Sequence, residues 1–289
     1  MRYFAMVAAG ATLWGCYSFF LRPAGLTGAQ SALLVFLAMS LPAPFMLRRE
    51  SLRDRRATAA LAILAVGDAA NAALFFAALQ QGPVSVAVLT HYLAPLLLAL
   101  AAPWVLREPL SLRALVATPV TLAGLGLLIG VPGGDGFAGR TALLGGASAL
   151  FYAANVLCIK QASRAYSPLA ITALHAPLSA AVLLLFFGAD ALPPTLDGGT
   201  LRVLMGGLVC GLGANSLFTV GLRQVPTAAA GALTYLEPLT ASLVGWAVFA
   251  EGLTPAGLAG GVLVLAAGAW VASERRAPAP LVPAGSTTP

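Results

Sequence analysis

Long apolar runs fill the chain, broken at short intervals by Gly, Pro and Arg. Ten of them approach the ~20 residues an α-helix needs to cross the hydrocarbon core of a bilayer. They fall at about 3–21, 28–47, 58–78, 84–104, 110–130, 141–160, 168–188, 201–221, 227–249 and 254–272. The pattern predicts an all-α integral membrane protein of ten transmembrane helices. The connections are short and carry most of the charges. Gly and Pro mark them, as in Arg22-Pro23-Ala24-Gly25, Val131-Pro132-Gly133-Gly134 and Leu192-Pro193-Pro194. A Pro/Ala-rich tail, 274–289, is expected to be disordered.

One stretch is written twice. Pro83 to Leu110 reads PVSVAVLTHYLAPLLLALAAPWVLREPL, and Pro226 to Leu253 reads PTAAAGALTYLEPLTASLVGWAVFAEGL. Pro83 pairs with Pro226, Tyr92 with Tyr235, Pro95 with Pro238, Glu108 with Glu251 and Leu110 with Leu253, at one interval (226 − 83 = 143). An interval near half the chain indicates duplication of a whole multi-helix unit. The expected units are 1–136 and 137–273. Each holds five helices, an odd number, so the second enters the membrane from the opposite side. Inverted repeats of this kind place a substrate site at their interface near the midplane in many secondary transporters.

Composition narrows the picture. The chain is 59% hydrophobic and 9% charged, against roughly 25% charged in soluble domains. A net charge of +6 does not mark a nucleic-acid partner here, because the Arg residues sit in short loops between apolar runs. Of 16 Lys and Arg, thirteen fall on one side: Arg2, Arg48, Arg49, Arg53, Arg55, Arg56, Arg107, Arg113, Lys160, Arg164, Arg223, Arg275 and Arg276. Arg22, Arg140 and Arg202 fall on the other. The positive-inside rule then puts both termini in the cytoplasm, with the chain multi-pass in the inner (plasma) membrane. Cys16, Cys158 and Cys210 lie in apolar runs and form no disulfide framework. Residues 1–21 read as a retained first helix, because the apolar run is long for a signal peptide and no A-x-A site ends it.

Ionisable side chains inside spans are costly, so each is a functional candidate. Asp68 lies near the middle of the third span, with Asn71 one turn on along the same face. It either meets a substrate ammonium or a proton, or packs against a neighbouring helix. His91 and Tyr92 precede Pro95 in the fourth span, where proline frees a carbonyl one turn earlier. His91 is a candidate for a substrate carboxylate or a proton, against a neutral structural histidine. In the ninth span Tyr235 and Glu237 precede Pro238, and Glu237 replaces Ala94 of the first copy. It reads as an amine site or proton carrier, or as a buried neutral acid. Asn155, His175 and Asn215 are weaker candidates, with His175 read as structural. Trp14, Tyr17, Phe75, Phe76 and Tyr152 form an expected aromatic lining, or simply pack helices. Trp104 and Trp270 read as interfacial belt residues, and Glu108 and Glu251 as helix-end groups with capping or gating contacts. Pro95 and Pro238 are candidate hinges.

Ten helices in two inverted fives, Trp14-Gly15 in the first, proline in the fourth and ninth, and the Glu-x-Leu after each (Glu108-Pro109-Leu110, Glu251-Gly252-Leu253) resemble the EamA-type families of the drug/metabolite transporter superfamily. With the His91-Tyr92 pair, the chain looks most like the YddG-type exporters of aromatic and other neutral amino acids. The resemblance spans residues 1–273. It implies a central cavity lined by helices 1, 3, 4, 6, 8 and 9, with 5 and 10 at the back.

The expectation is a secondary transporter exporting small metabolites, first neutral or aromatic amino acids, by alternating access. Other substrates of the superfamily (cationic drugs, nucleobases) and a non-transporting scaffold are the alternatives. No Walker A, H-E-x-x-H or G-x-S-x-G motif occurs, so neither an ATP motor nor an enzyme is expected. No cofactor or metal is expected, the chain having two His and no Cys/His cluster. The expected partners are a small-molecule substrate and the lipid bilayer, not nucleic acid, with a monomer as the working state.

Overall fold

The computed structural model describes residues 1–81, 84–129, 139–250, 252 and 254–273, and these are helical with no strand. Pro83, Glu251, Leu253, the 131–134 connection and the tail lie outside them, as does the Phe76 side chain. The elements run α1 (Arg2–Gly15), α2 (Tyr17–Leu21), α3 (Gly28–Met39), α4 (Ala43–Arg49), α5 (Arg55–Gln81), α6 (Val84–His91), α7 (Ala94–Leu106) and α8 (Leu112–Ile129). They continue as α9 (Gly139–Ala162), α10 (Pro168–Phe187), α11 (Gly198–Gly206), α12 (Ala214–Leu222), α13 (Thr227–Leu233), α14 (Leu236–Phe249) and α15 (Pro255–Ala272).

Among the described residues, eight helical stretches are long and apolar enough to cross a membrane, or nine if α3 and α4 count as one span. Pro255–Val271 is a shorter apolar helix at the place of the tenth expected span. The second expected span is not straight, since α3 and α4 meet at 42°. Pro42 supplies no N–H, and the Ser40 hydroxyl closes the turn by donating to the Phe36 carbonyl at 2.6 Å. A further departure is a π-helical stretch, Gly207–Gly213, between α11 and α12.

The sequence repeat has a backbone counterpart. α6 and α7 are separated by a break at Tyr92–Leu93, and α13 and α14 by one at Thr234–Tyr235. Pro95 and Pro238 fall in the first turns of α7 and α14, where the missing N–H costs nothing. Two non-glycine residues have positive φ among the described residues, Arg107 at 59° and Ala250 at 53°. They end α7 and α14 in the left-handed conformation at the same 143-residue interval that separates Tyr92 from Tyr235. Left-handed C-caps of this kind are costly for non-glycine residues, so their recurrence at one interval matches the recurrence in the sequence.

Small residues let the helices close in. A Cβ on Gly124 of α8 would lie 2.8 Å from the Gly260 carbonyl oxygen of α15, so the two backbones touch there. Large apolar side chains such as Leu185 (83% exposed) and Trp104 (88%) face outward, as lipid contact requires.

Opposite that outer surface, the connections α4–α5, α7–α8, α9–α10 and α12–α13 meet at one end of the bundle. Lys160, expected among loop cations, is instead buried in the last turn of α9. Its Nζ donates to the Leu222 and Val225 carbonyls at 2.7 and 2.6 Å and pairs with Glu108 Oε1 at 3.3 Å. Glu108 in turn accepts from the Thr227 backbone N–H (2.6 Å) and hydroxyl (2.8 Å). A cation thus meets the C-terminal carbonyls of α12 and an anion meets the N-terminus of α13, both favoured by the helix dipoles. Nearby, Glu50 accepts from the Ser167 backbone N–H (3.1 Å) and hydroxyl (2.6 Å). These bonds tie residues of the first half to the second. Removing Lys160 from the count leaves twelve loop and terminal cations against three.

At the other end, Asp197 caps α11 by accepting from the Thr200 N–H at 3.0 Å. That bond, with a second from the Thr195 hydroxyl, holds the carboxyl below its ordinary value of 3.8. A lowered folded-state value means the cap stabilises above about pH 4 and is lost as pH falls through the folded-state value. Asp197→Ala is therefore expected to lower the melting temperature at neutral pH, and the gap to wild type should close in acid. Asp197→Asn should keep most of the cap with little pH dependence. Melting curves over an acid-to-neutral series check this.

Candidate functional site

The helices surround a cavity of about 310 Å³. That lies at the lower end of the range for small-molecule pockets. Trp14, Asp68, Asn71, His91, Tyr152, Asn155, Asn215 and Glu237 line it. Tyr17, Phe75 and Phe218 add to its aromatic wall, while α3 contributes Ser31 to Met39 and α10 contributes His175. No lining residue comes from α8 or α15. The spans built on α3 and α10 thus join those expected to face the cavity.

Tyr92 and Tyr235 are placed elsewhere. Their rings pack on each other with centroids 5.8 Å apart, and the Tyr235 hydroxyl donates to the Tyr92 carbonyl at 2.9 Å. That carbonyl is free because α6 breaks at this point. The two tyrosines therefore join α13–α14 to α6–α7 through the carbonyl opened ahead of Pro95. The Tyr92 hydroxyl faces the Glu237 carboxyl from this layer.

On the α6 side, His91 is buried. Its ring lies over Phe75 at 4.3 Å and meets Tyr152 edge-on at 5.5 Å. Nδ1 is 2.7 Å from the Ser148 hydroxyl, which also donates to the Gly145 carbonyl at 2.9 Å. A hydroxyl donating to a carbonyl accepts from Nδ1–H, which leaves Nε2 as an acceptor. Trp14 packs on Phe218 in a tilted arrangement with ring centroids 4.7 Å apart.

On α5, Asp68 is the hub of a polar network. Oδ1 accepts from Asn155 Nδ2 at 3.2 Å, and Oδ2 lies 3.2 Å from His175 Nε2. His175, a weaker candidate read from sequence as structural, lines the cavity beside Asp68. An ionisable side chain inside an apolar span was the available signal. Three lining groups carry buried polar atoms without a hydrogen bond: Asn71 Oδ1, Asn155 Oδ1 and the Tyr152 hydroxyl, which points toward Thr234 without closing a good bond. Asn215 donates to the Gly211 carbonyl at 2.8 Å, inside the π-helical stretch, so that distortion is anchored at the cavity wall.

Glu237 differs from Asp68. It is partly exposed on the cavity wall, and among the described residues no Lys, Arg or His forms an ion pair with it. Among the described residues, neither Lys nor Arg lines the cavity. The cavity therefore offers two carboxylates, amide and imidazole groups and aromatic faces, which suits an amphipathic molecule bearing an amine.

Comparison with known proteins fits this architecture. A transporter of uncharacterised specificity from Archaeoglobus fulgidus is 32% identical over 263 residues, covering 91% of this chain and 93% of that one. A solved crystal structure shares the fold with a TM-score of 0.78 at 19% identity, over 93% of this chain and 96% of the other. Residues 1–130 and 139–273 match the EamA-like transporter family. The chain is a multi-pass membrane protein of the EamA-like transporter family.

Proposed function

We propose that this protein exports small amine-bearing amphipathic metabolites, neutral and aromatic amino acids first, by alternating access through the cavity. The observation that carries the proposal is the juxtaposition of Glu237 with aromatic walls in a cavity that holds one small molecule. A substrate ammonium would be shared by the two cavity carboxylates, Glu237 and Asp68, and would meet the electron-rich faces of Trp14, Tyr152 or Phe75. A substrate carboxylate would find only neutral donors, the amides of Asn71 or Asn215. Two carboxylates and no Lys or Arg in the lining also favour a second reading, cationic amphiphiles lacking a carboxylate.

The scaffold of the proposal is ten spans in two inverted five-helix units, 1–136 and 137–273. Recurrence of the helix breaks and of the left-handed caps supports it, as do the two matched segments. Pro95 and Pro238 would be the bending points. Loop-cation asymmetry supports cytoplasmic termini in a plasma membrane. In that orientation the Glu50–Ser167 and Glu108–Lys160–Thr227 bonds close the cytoplasmic end.

The test is uptake of labelled phenylalanine, tryptophan, threonine and methionine, and of phenethylamine, into tight proteoliposomes with and without a pH gradient. Saturable, protein-dependent flux of the aromatic amino acids, reduced in His91→Ala, is the expected result. Flux of phenethylamine alone would replace the amino-acid assignment by the cationic one. No flux of any of them would remove both.

A further inference from the structure

We infer that Asp68 and His175 together form a proton-binding site in the cavity wall, and that a substrate ammonium competes with that proton for the Asp68 carboxylate. The coupling half presupposes the transport reading above; the proton half does not.

The tautomer of His175 fixes the proton. Its Nδ1 is 2.7 Å from the Ile171 carbonyl oxygen, and a carbonyl only accepts, so Nδ1 carries hydrogen. A neutral imidazole protonated there has a bare lone pair on Nε2. Yet Nε2 sits 3.2 Å from Asp68 Oδ2. An ionised carboxylate facing that lone pair is repulsive, so the contact requires one more proton. It resides on the carboxyl, as a neutral acid donating to Nε2, or on the ring, as an imidazolium donating to the carboxylate. Both forms hold one proton, and both sum to zero charge, which suits the low-dielectric interior.

The surroundings leave Asp68 no other counter-charge among the described residues. Asn155 of α9 donates to Oδ1 and is neutral. The titratable groups that line the cavity with the pair are Tyr17 of α2, His91 of α6, Tyr152 of α9 and Glu237 of α14. Helices α3, α4 and α12 direct no titratable side chain at it among the described residues. Access is one-sided. The His175 side chain is 5% exposed and that of Asp68 is 28%, so the proton enters and leaves through the carboxyl.

Losing the proton to cavity water leaves Asp68 ionised against a lone pair, at net charge −1. An ammonium at Asp68 restores zero. The site therefore holds one positive equivalent, a proton or an ammonium, and a ligand bound only after the proton departs is linked to it reciprocally. One proton enters for each amine that leaves. For a zwitterionic amino acid this moves one net charge, and for a monocation none.

Asp68→Asn separates the roles cleanly. Its amide can donate to Nε2 and accept from Asn155, keeping both hydrogen bonds without the extra proton. Two measurements on the full chain in lipid nanodiscs test the inference. First, ¹⁵N-histidine spectra at neutral pH should show His175 with its Nε2 in a proton-sharing bond in wild type, and a ring carrying hydrogen on Nδ1 alone in Asp68→Asn. A bare Nε2 in wild type overturns the proton site. Second, adding phenylalanine or phenethylamine in weak buffer should release one proton per bound amine from wild type and none from Asp68→Asn. Binding without release overturns the competition. No binding at all removes the transport reading, and the spectra then decide the proton site alone.

Discussion

Glu237→Gln is expected to lower transport of amine-bearing substrates at limiting concentration by about 30-fold or more. Truncating one partner of a desolvated charge pair costs about 2–5 kcal/mol, and each 1.4 kcal/mol is tenfold. The loss should appear because Glu237 has no ion-pair partner among the described residues and is exposed to the cavity, so its charge is available to a ligand. The fold should survive. Gln has the same shape, and no network around Glu237 has to be rebuilt, since the Tyr92 hydroxyl can face an amide as well as a carboxyl. Initial rates with labelled substrate, together with a melting curve, separate the two effects. A variant that melts like wild type and transports like wild type would remove Glu237 from the pathway.

Lys160→Met should be the most destabilising single change outside the cavity, by about 3–5 kcal/mol, the usual cost of stripping one partner from a buried ion pair. Three acceptors lose their donor at once: the Leu222 and Val225 carbonyls and Glu108 Oε1. Among the described residues, Glu108 would then keep only the two Thr227 donors and a buried charge without a counter-ion. Adding Glu108→Gln removes that stranded charge. The double variant is expected to be more stable than Lys160→Met alone, a coupling that a double-mutant cycle measures in denaturant or heat. Strictly additive losses would mean that the pair does not act as a unit.

Much of this was legible in the chain itself. Spans declare themselves because a bilayer demands some twenty apolar residues, and the predicted limits 227–249 coincide with the helical stretch Thr227–Phe249. Glu237 and Asp68 stood out because charge inside such a run is rare. What pattern could not carry was the side of the helix. Tyr92 and Tyr235 share the polar stretch with His91 and Glu237, yet both turn into the layer between the repeats. Each sits at a break rather than in a continuous helix, so a regular helical wheel misplaces it. His175 was undervalued because its partner lies 107 residues away, and nothing local announces an ion pair between spans. Lys160 was misassigned because a cation near a helix end normally snorkels to the interface, whereas this one finds two carbonyls and a carboxylate inward. The bend at Ser40–Pro42 could have been read from its proline. The π-helical stretch had only its glycines as a hint.

The measurement that goes most directly to the central claim is equilibrium binding of labelled phenylalanine and phenethylamine to the purified protein, wild type beside Glu237→Gln. The account predicts saturable binding at one site per chain, displaced by other amine-bearing aromatic compounds and lost in the variant. Saturable binding that the variant retains in full would contradict the claim that Glu237 and the cavity it lines hold the substrate.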